Sequence, residues 1–239
     1  MNKLIILVLL SLCYQTASAQ YDDTTHYHAV LASSGSINKT NTDRAYLLNN
    51  SLNFGIKKNN MVLNATNTWV YGKQNNTLTN NDFSSSLFFN LYTTFKHFYY
   101  WGLLNYNTSY SLKVNNQLLA GAGVAYSVID KKDAYINISD GILYDQSNLL
   151  ADLNYNTYRN SLRLQYHFAV KELITLDGSN FLQSSLSKSN DYIIRSTTTL
   201  GFKLRKWISL TTSLTYNKMN ITSSDNLNFT YGLVFDKYF

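Results

Sequence analysis

Five charged residues in the C-terminal half carry most of the chemistry this sequence offers: Arg159, Arg163, Asp177, Arg195 and Lys203. Arg159, Ser161, Arg163, Gln165 and His167 interleave with Tyr158, Leu162, Leu164, Tyr166 and Phe168, so an extended chain puts the polar set on one face and the apolar set on the other. Asp177 follows between Thr175 and Ser179, and Arg195 shares its parity with Thr197, Thr199 and Lys203. Antiparallel pairing through residues 169–172 sets Asp177 roughly opposite Arg163, and the loop 183–191 brings Arg195 within reach on the other side. The product is a net-positive wall around one carboxylate. It has two readings: rings of Arg or Lys select anions in a pore, or Asp177 and the arginines neutralise one another, since buried charges need partners and Arg grips a carboxylate with two donors.

Catalysis and metal binding fare worse. His26-x-His28 puts two imidazoles on one face, but no Cys, Glu or further His lies close in sequence to complete a metal site. His97 falls in a turn and His167 on the polar face of its segment. A hydrolase needs a Ser, a His and an orienting carboxylate or amide in contact, and the chain has no G-x-S-x-G elbow. The sequence calls for no enzyme activity, no cofactor and no metal.

The elements that must position these residues are strands. Twelve segments alternate: 27–34, 45–56, 61–71, 83–95, 98–110, 118–129, 134–145, 155–168, 173–182, 192–204, 208–217 and 227–239. Connectors after the even segments are short (57–60, 96–97, 130–133, 169–172, 205–207). Those after the odd ones are longer (35–44, 72–82, 111–117, 146–154, 183–191, 218–226). Short turns at one end and long loops at the other, with an even strand number, are the pattern of single-chain outer-membrane barrels. A soluble sandwich has no reason to alternate its loops so. The expected fold is therefore an all-β, transmembrane, antiparallel up-and-down barrel of about twelve strands, with both termini in the periplasm. The polar face then lines the lumen. Gly121 and Gly123 face it opposite Tyr99 and Trp101, leaving room for a ring against the wall, and Asp140 needs a bulge at Asp140-Gly141 to turn inward from the lipid face.

Composition agrees. The chain has no proline, 20 Tyr and 12 Phe, which suit ladders and membrane interfaces. A mean hydropathy of −0.22 fits a barrel with a polar interior. The net charge of +6 is scattered, with no basic stripe, which excludes nucleic acid as a partner. Lys3, the apolar run 4–12 and Ala17-Ser18-Ala19 read as a signal peptide over 1–19, cleaved near Ala19. Leu12 is too bulky for a lipoprotein signal at Cys13, the chain's one cysteine. A short lead-in, 20–26, precedes the barrel domain, 27–239. Its last segment alternates Tyr231, Leu233 and Phe235 on one face and ends in Phe239, resembling the terminal assembly signal of outer-membrane barrels, with Lys237 as a departure from it.

The stretch Leu119-Ala120-Gly121-Ala122-Gly123-Val124-Ala125-Tyr126, the following lysine turn and Ala134-Tyr135-Ile136-Asn137-Ile138-Ser139-Asp140-Gly141-Ile142-Leu143-Tyr144-Asp145 resemble the centre of a domain-of-unknown-function family. Arg159-x-Ser161-x-Arg163 and Tyr231-Gly232-Leu233-Val234-Phe235 are similar in placement. Members of that family are described as salt-induced outer-membrane proteins. The resemblance implies an outer-membrane barrel and no catalytic or ligand residues. Two functions fit: a small passive pore with an Arg-lined, weakly anion-favouring lumen, or a non-conducting envelope barrel that works through polar extracellular loops. The expected partners are outer-membrane lipid, the barrel-assembly machinery and, for the pore, small anionic solutes.

Overall fold

The computed structural model describes residues 26–92, 97–131, 133–149, 153–171 and 173–238. The expected signal segment 1–19, the expected lead-in up to residue 25 and the terminal Phe239 lie outside the described residues. The strands are β1 (Tyr27–Lys39), β2 (Arg44–Lys58), β3 (Met61–Gln74), β4 (Thr77–Tyr92), β5 (Phe98–Ser109) and β6 (Val114–Lys131). They continue with β7 (Ala134–Leu149), β8 (Leu153–Val170), β9 (Ile174–Ser185), β10 (Tyr192–Arg205), β11 (Ile208–Met219) and β12 (Ser224–Tyr238). Each pairs antiparallel with its neighbours in sequence, and β12 returns to β1 to close a twelve-stranded barrel. The expected fold is the observed one. Its two rims are unlike: the terminal rim holds the start of β1 and the end of β12, and the loop rim holds the connectors after odd strands.

The contrast in connector length is smaller than expected. The expected loop 72–82 is ladder, with β3 and β4 joined through Asn75 and Asn76 at φ 49° and 66°. Asparagine tolerates the left-handed region that such a tight hairpin needs. The connectors 40–43 and 110–113 are likewise short, and 220–223 is a single 3₁₀ turn, Asn220–Thr222. The reason is the solvent. Beyond the lipid slab a strand is polar on both faces, and its composition then resembles a loop. On β6–β8 the outward ladder continues past the Tyr144–Tyr158 ring pair as an amide relay, Asn115 to Asn148 at 3.0 Å and Asn148 to Asn154 at 3.2 Å.

The outer wall is apolar where it should meet lipid. Leu31, Leu52, Leu87, Leu104, Val124, Ile142, Leu162 and Leu214 are all exposed there. Aromatic girdles flank this belt. Tyr46, Trp69 and Tyr71 cluster toward the loop rim, and Tyr27 with Phe54, Phe98 with Tyr126 and Trp207 with Phe235 pair toward the terminal rim. From Tyr46 to Phe54 a strand rising about 3.3 Å per residue at a tilt of about 40° climbs roughly 20 Å, the scale of an outer-membrane apolar band. No helix among the described residues is long and apolar enough to cross a membrane.

Asp140 stays on this outer face. The β6–β7 register runs through Val124↔Asp140 and Gly123↔Gly141 without a shift, so the expected bulge is absent there. The carboxylate instead accepts a 2.7 Å hydrogen bond from Asn160 on the neighbouring strand, which offsets part of its desolvation. Gly123 and Gly141 serve packing: a Cβ at Gly123 would stand 2.7 Å from the Trp101 ring, and one at Gly141 2.5 Å from it. Leu103, not Tyr99, is the residue across from Gly121. Trp101 thus lies flat against the inner wall and nucleates a cluster with Tyr99, Leu103, Ala125, Leu143 and Phe88.

Candidate functional site: a partitioned lumen

The five expected charges do not form one wall. The β8–β9 register pairs His167 with Asp177 and Arg163 with Phe181, so the expected Arg163–Asp177 contact is absent. The hairpin turns two residues later than expected, and Asp177 meets His167 Nδ1 at 2.6 Å instead. Arg163 carries its guanidinium to 4.9 Å from the Phe88 ring centre and 5.0 Å from that of Phe181, and its Nε has no hydrogen-bond partner among the described residues. Lys203 sits near the terminal rim opposite Ser209, apart from the rest.

Arg159 is fully buried and holds two carboxylates. Its Nε donates to Asp145 Oδ2 at 2.6 Å, and its two terminal nitrogens donate to Asp191 Oδ1 and Oδ2 at 3.0 and 3.1 Å. Tyr155 adds its ring at 5.7 Å, accepts a 3.2 Å bond from the guanidinium and donates to Asp191. Asp145 is further satisfied by Ser147 at 2.6 Å and by Gln117 Nε2 at 3.1 Å to each oxygen. Asp191 lies in the β9–β10 connector. Burial first, and then the charge of Asp145, push its carboxyl up to about 6. One guanidinium serves two acids here.

Arg195 completes the arrangement from across the barrel. From β10 its terminal nitrogens donate to Gln117 Oε1 on β6 at 2.9 Å and to Asn105 Oδ1 on β5 at 3.4 Å. Asn105 in turn donates to Ser84 and Ser86 of β4, at 3.0 and 2.6 Å. A chord of side chains therefore divides the lumen. One side, inside β5–β9, is filled by the Arg159 network and the Trp101 cluster. The other, bounded by β1–β4, β10–β12 and the loop-rim ends of β5 and β6, stays open as a cavity of about 530 Å³. Its lining is mostly hydroxyl and amide side chains, and Arg195 and Asp82 are the charged residues in it. Asp82 is satisfied by Ser109 Oγ at 2.8 Å, Ser111 Oγ at 2.7 Å and the Ser111 amide at 3.0 Å.

The loop-rim mouth is narrowed by the β5–β6 turn, which bends into the lumen. Leu112 and Val114 pack there with Leu149, Ile193 and Met219, all buried. Asn226 on β12 reaches across to Ser111 Oγ at 2.6 Å. At the terminal rim two imidazole–carboxylate pairs face inward, His167–Asp177 and His28–Asp236, each at 2.6 Å. Gln117, Asp145, Tyr155 and Asp191 were not singled out as site residues by sequence. Asp145 shares the inward parity of Ser139 and Leu143, and Tyr155 that of Arg159 and Arg163, whereas Gln117 and Asp191 fell in expected connectors.

Fold and lumen together define a small transmembrane β-barrel whose interior is half filled. The chain belongs to the family described as a protein of unknown function, DUF481, which matches residues 31–236. No curated protein matches it by sequence. Several solved barrels share its fold. The NanC porin aligns over 88% of this chain and 99% of its own, at 10% identity and a TM-score of 0.55. An outer-membrane channel from Pseudomonas putida F1 aligns over 95% and 98%, at 9% identity and a TM-score of 0.52. The translocator domain of the autotransporter NalP from Neisseria meningitidis aligns over 98% and 94%, at 12% identity and a TM-score of 0.50.

Proposed function

We propose that this protein is a small passive pore of the bacterial outer membrane. In this reading it is exported with loss of residues 1–19 and assembled through its closing strand, where Tyr231, Leu233, Phe235 and Phe239 engage the barrel-assembly machinery. Both termini face the periplasm and the belt meets outer-membrane lipid. The observation that carries the reading is the cavity of about 530 Å³ inside the barrel, lined by hydroxyl and amide side chains together with apolar ones such as Leu47, Ile193 and Met219.

Selectivity is weakly anionic and rests on Arg195. Arg159 is neutralised by Asp145 and Asp191, and Arg163 is held between two aromatic rings away from the cavity lining. Arg195 is the arginine in the cavity wall, and rings or single residues of this kind bias permeation toward anions. Porins and channels among the structurally similar barrels support a pore without enzyme activity. A surface-interaction barrel working through long loops has little to work with, because β3 and β4 meet in two residues.

Planar-bilayer recording of the refolded protein tests this. Stable single-channel steps are expected, with an anion preference that falls in Arg195→Ala. No conductance above background would overturn the pore.

A further inference from the structure

We infer that the open half of the lumen is a binding site for a small carboxylate bearing several hydroxyl groups, of the sugar-acid class, with Arg195 as the carboxylate anchor. The inference rests on the pore reading, since the ligand must enter a cavity inside the barrel.

Arg195 is a cation with donors to spare. It spends one N–H on Gln117 Oε1 and one on Asn105 Oδ1, both neutral acceptors. A guanidinium offers five N–H groups in a fixed fork, so part of the fork remains for a carboxylate. The salt bridges among the described residues pair Arg159 with Asp145 and Asp191 but give Arg195 no carboxylate. Gln117 explains why. Its amide nitrogen is spent on both Asp145 oxygens while its oxygen takes Arg195, so it spaces the second arginine away from the acid.

The rest of the wall selects the remainder of the ligand. Directly along from Arg195, Thr197 and Thr199 on β10 form hydroxyl pairs with Thr215 and Ser213 on β11, at 3.4 and 3.0 Å. Hydroxyls can donate or accept as they rotate, which suits a ligand made of hydroxyls. Apart from Phe83, the rings on which a nucleobase would stack are packed on the other side of the chord, around Trp101, and Leu112, Val114, Ile193 and Met219 of the cavity wall are packed together in one cluster. A phosphate would call for more than one cation in the wall. The cavity is also of a size to enclose a small molecule, within the range of about 300–1,000 Å³.

The test is equilibrium binding of D-glucuronate, glucose and acetate to the refolded barrel in detergent micelles, followed by titration calorimetry. Glucuronate is expected to bind about tenfold tighter than either glucose or acetate, because it alone engages both the fork and the hydroxyl wall. Arg195→Gln is expected to remove about tenfold of that affinity while the barrel keeps its heat-modifiable gel shift. Should Arg195→Gln fail to fold, the pair Thr199→Val and Ser213→Ala reads the same site, lowering glucuronate affinity and leaving acetate unchanged. Glucuronate binding no tighter than acetate, or unaffected by these substitutions, sinks the site. Conductance in potassium chloride is recorded separately. A barrel that conducts but does not bind glucuronate rejects the ligand and keeps the pore, whereas one that binds but does not conduct keeps the site and rejects the pore.

Discussion

Arg159 and Arg195 carry the same charge inside the same lumen, and their surroundings give them different work. Removing Arg159 leaves two buried carboxylates facing each other, so Arg159→Met should destabilise the barrel by about 3–5 kcal/mol in urea unfolding from micelles. Arg195→Gln removes bonds to neutral amides and should cost about 1 kcal/mol. Equal losses would refute this division of roles. Asp191 adds a pH dependence of definite sign. Its folded carboxyl titrates at about 6, above the unfolded value of about 3.9, so the folded state binds the extra proton. Stability should therefore fall as pH rises from about 4 through about 6, and Asp191→Asn should flatten that slope. Asp191 lies in a connector and has no parity, whereas the inward parity of Arg159 and Arg195 was readable from alternation. Their partners were not: sliding β8 against β9 by an even number of residues keeps every side chain on its face, so the Asp177 partner could change from Arg163 to His167 without disturbing the pattern. Contacts across the lumen, such as Arg195 with Gln117, join strands that never pair and leave no periodic trace at all.

At the scale of elements, the β5–β6 turn does more than connect. Its Leu112 is buried against Ile193 and Met219 from the opposite wall, so the loop-rim mouth is an apolar constriction backed by a polar cavity. Apolar constrictions limit conduction by dewetting. Leu112→Ser should wet the mouth and raise single-channel conductance, with anion preference unchanged because Arg195 is untouched. A conductance equal to wild type would show that the narrow point lies elsewhere, and a changed selectivity would show that the turn holds the Arg195 chord in place. Twelve strands and their order were legible because alternation survives inside the lipid slab. Strand ends were not, because Asn, Ser and Thr outside the slab read as loop while still holding ladder hydrogen bonds, as Gly72 with Asn80 does.

At the scale of the whole molecule, the barrel exists only if β12 finds β1. An open barrel exposes two rows of unpaired backbone groups to hydrocarbon, where each costs several kcal/mol. The seam runs from His28↔Tyr238 to Gly35↔Tyr231, and one pair in from its loop-rim end Gly232 sits opposite Ser34. A Cβ at Gly232 would run into the Ser33 carbonyl oxygen and the Ser34 Cα, both backbone atoms that cannot yield without moving β1. Gly102, on the wall between β4 and β6, is a matched control: the nearest atoms to a Cβ there are 3.9 Å away. Gly232→Val should therefore prevent closure, seen as loss of the heat-modifiable gel shift on refolding, while Gly102→Val refolds like wild type. Both substitutions replace a strand glycine, so a general effect of strand propensity would move them together and in the stabilising direction. Divergence between them isolates the seam, and normal closure of Gly232→Val would mean that β1 and β12 can part enough to admit a side chain without opening the barrel.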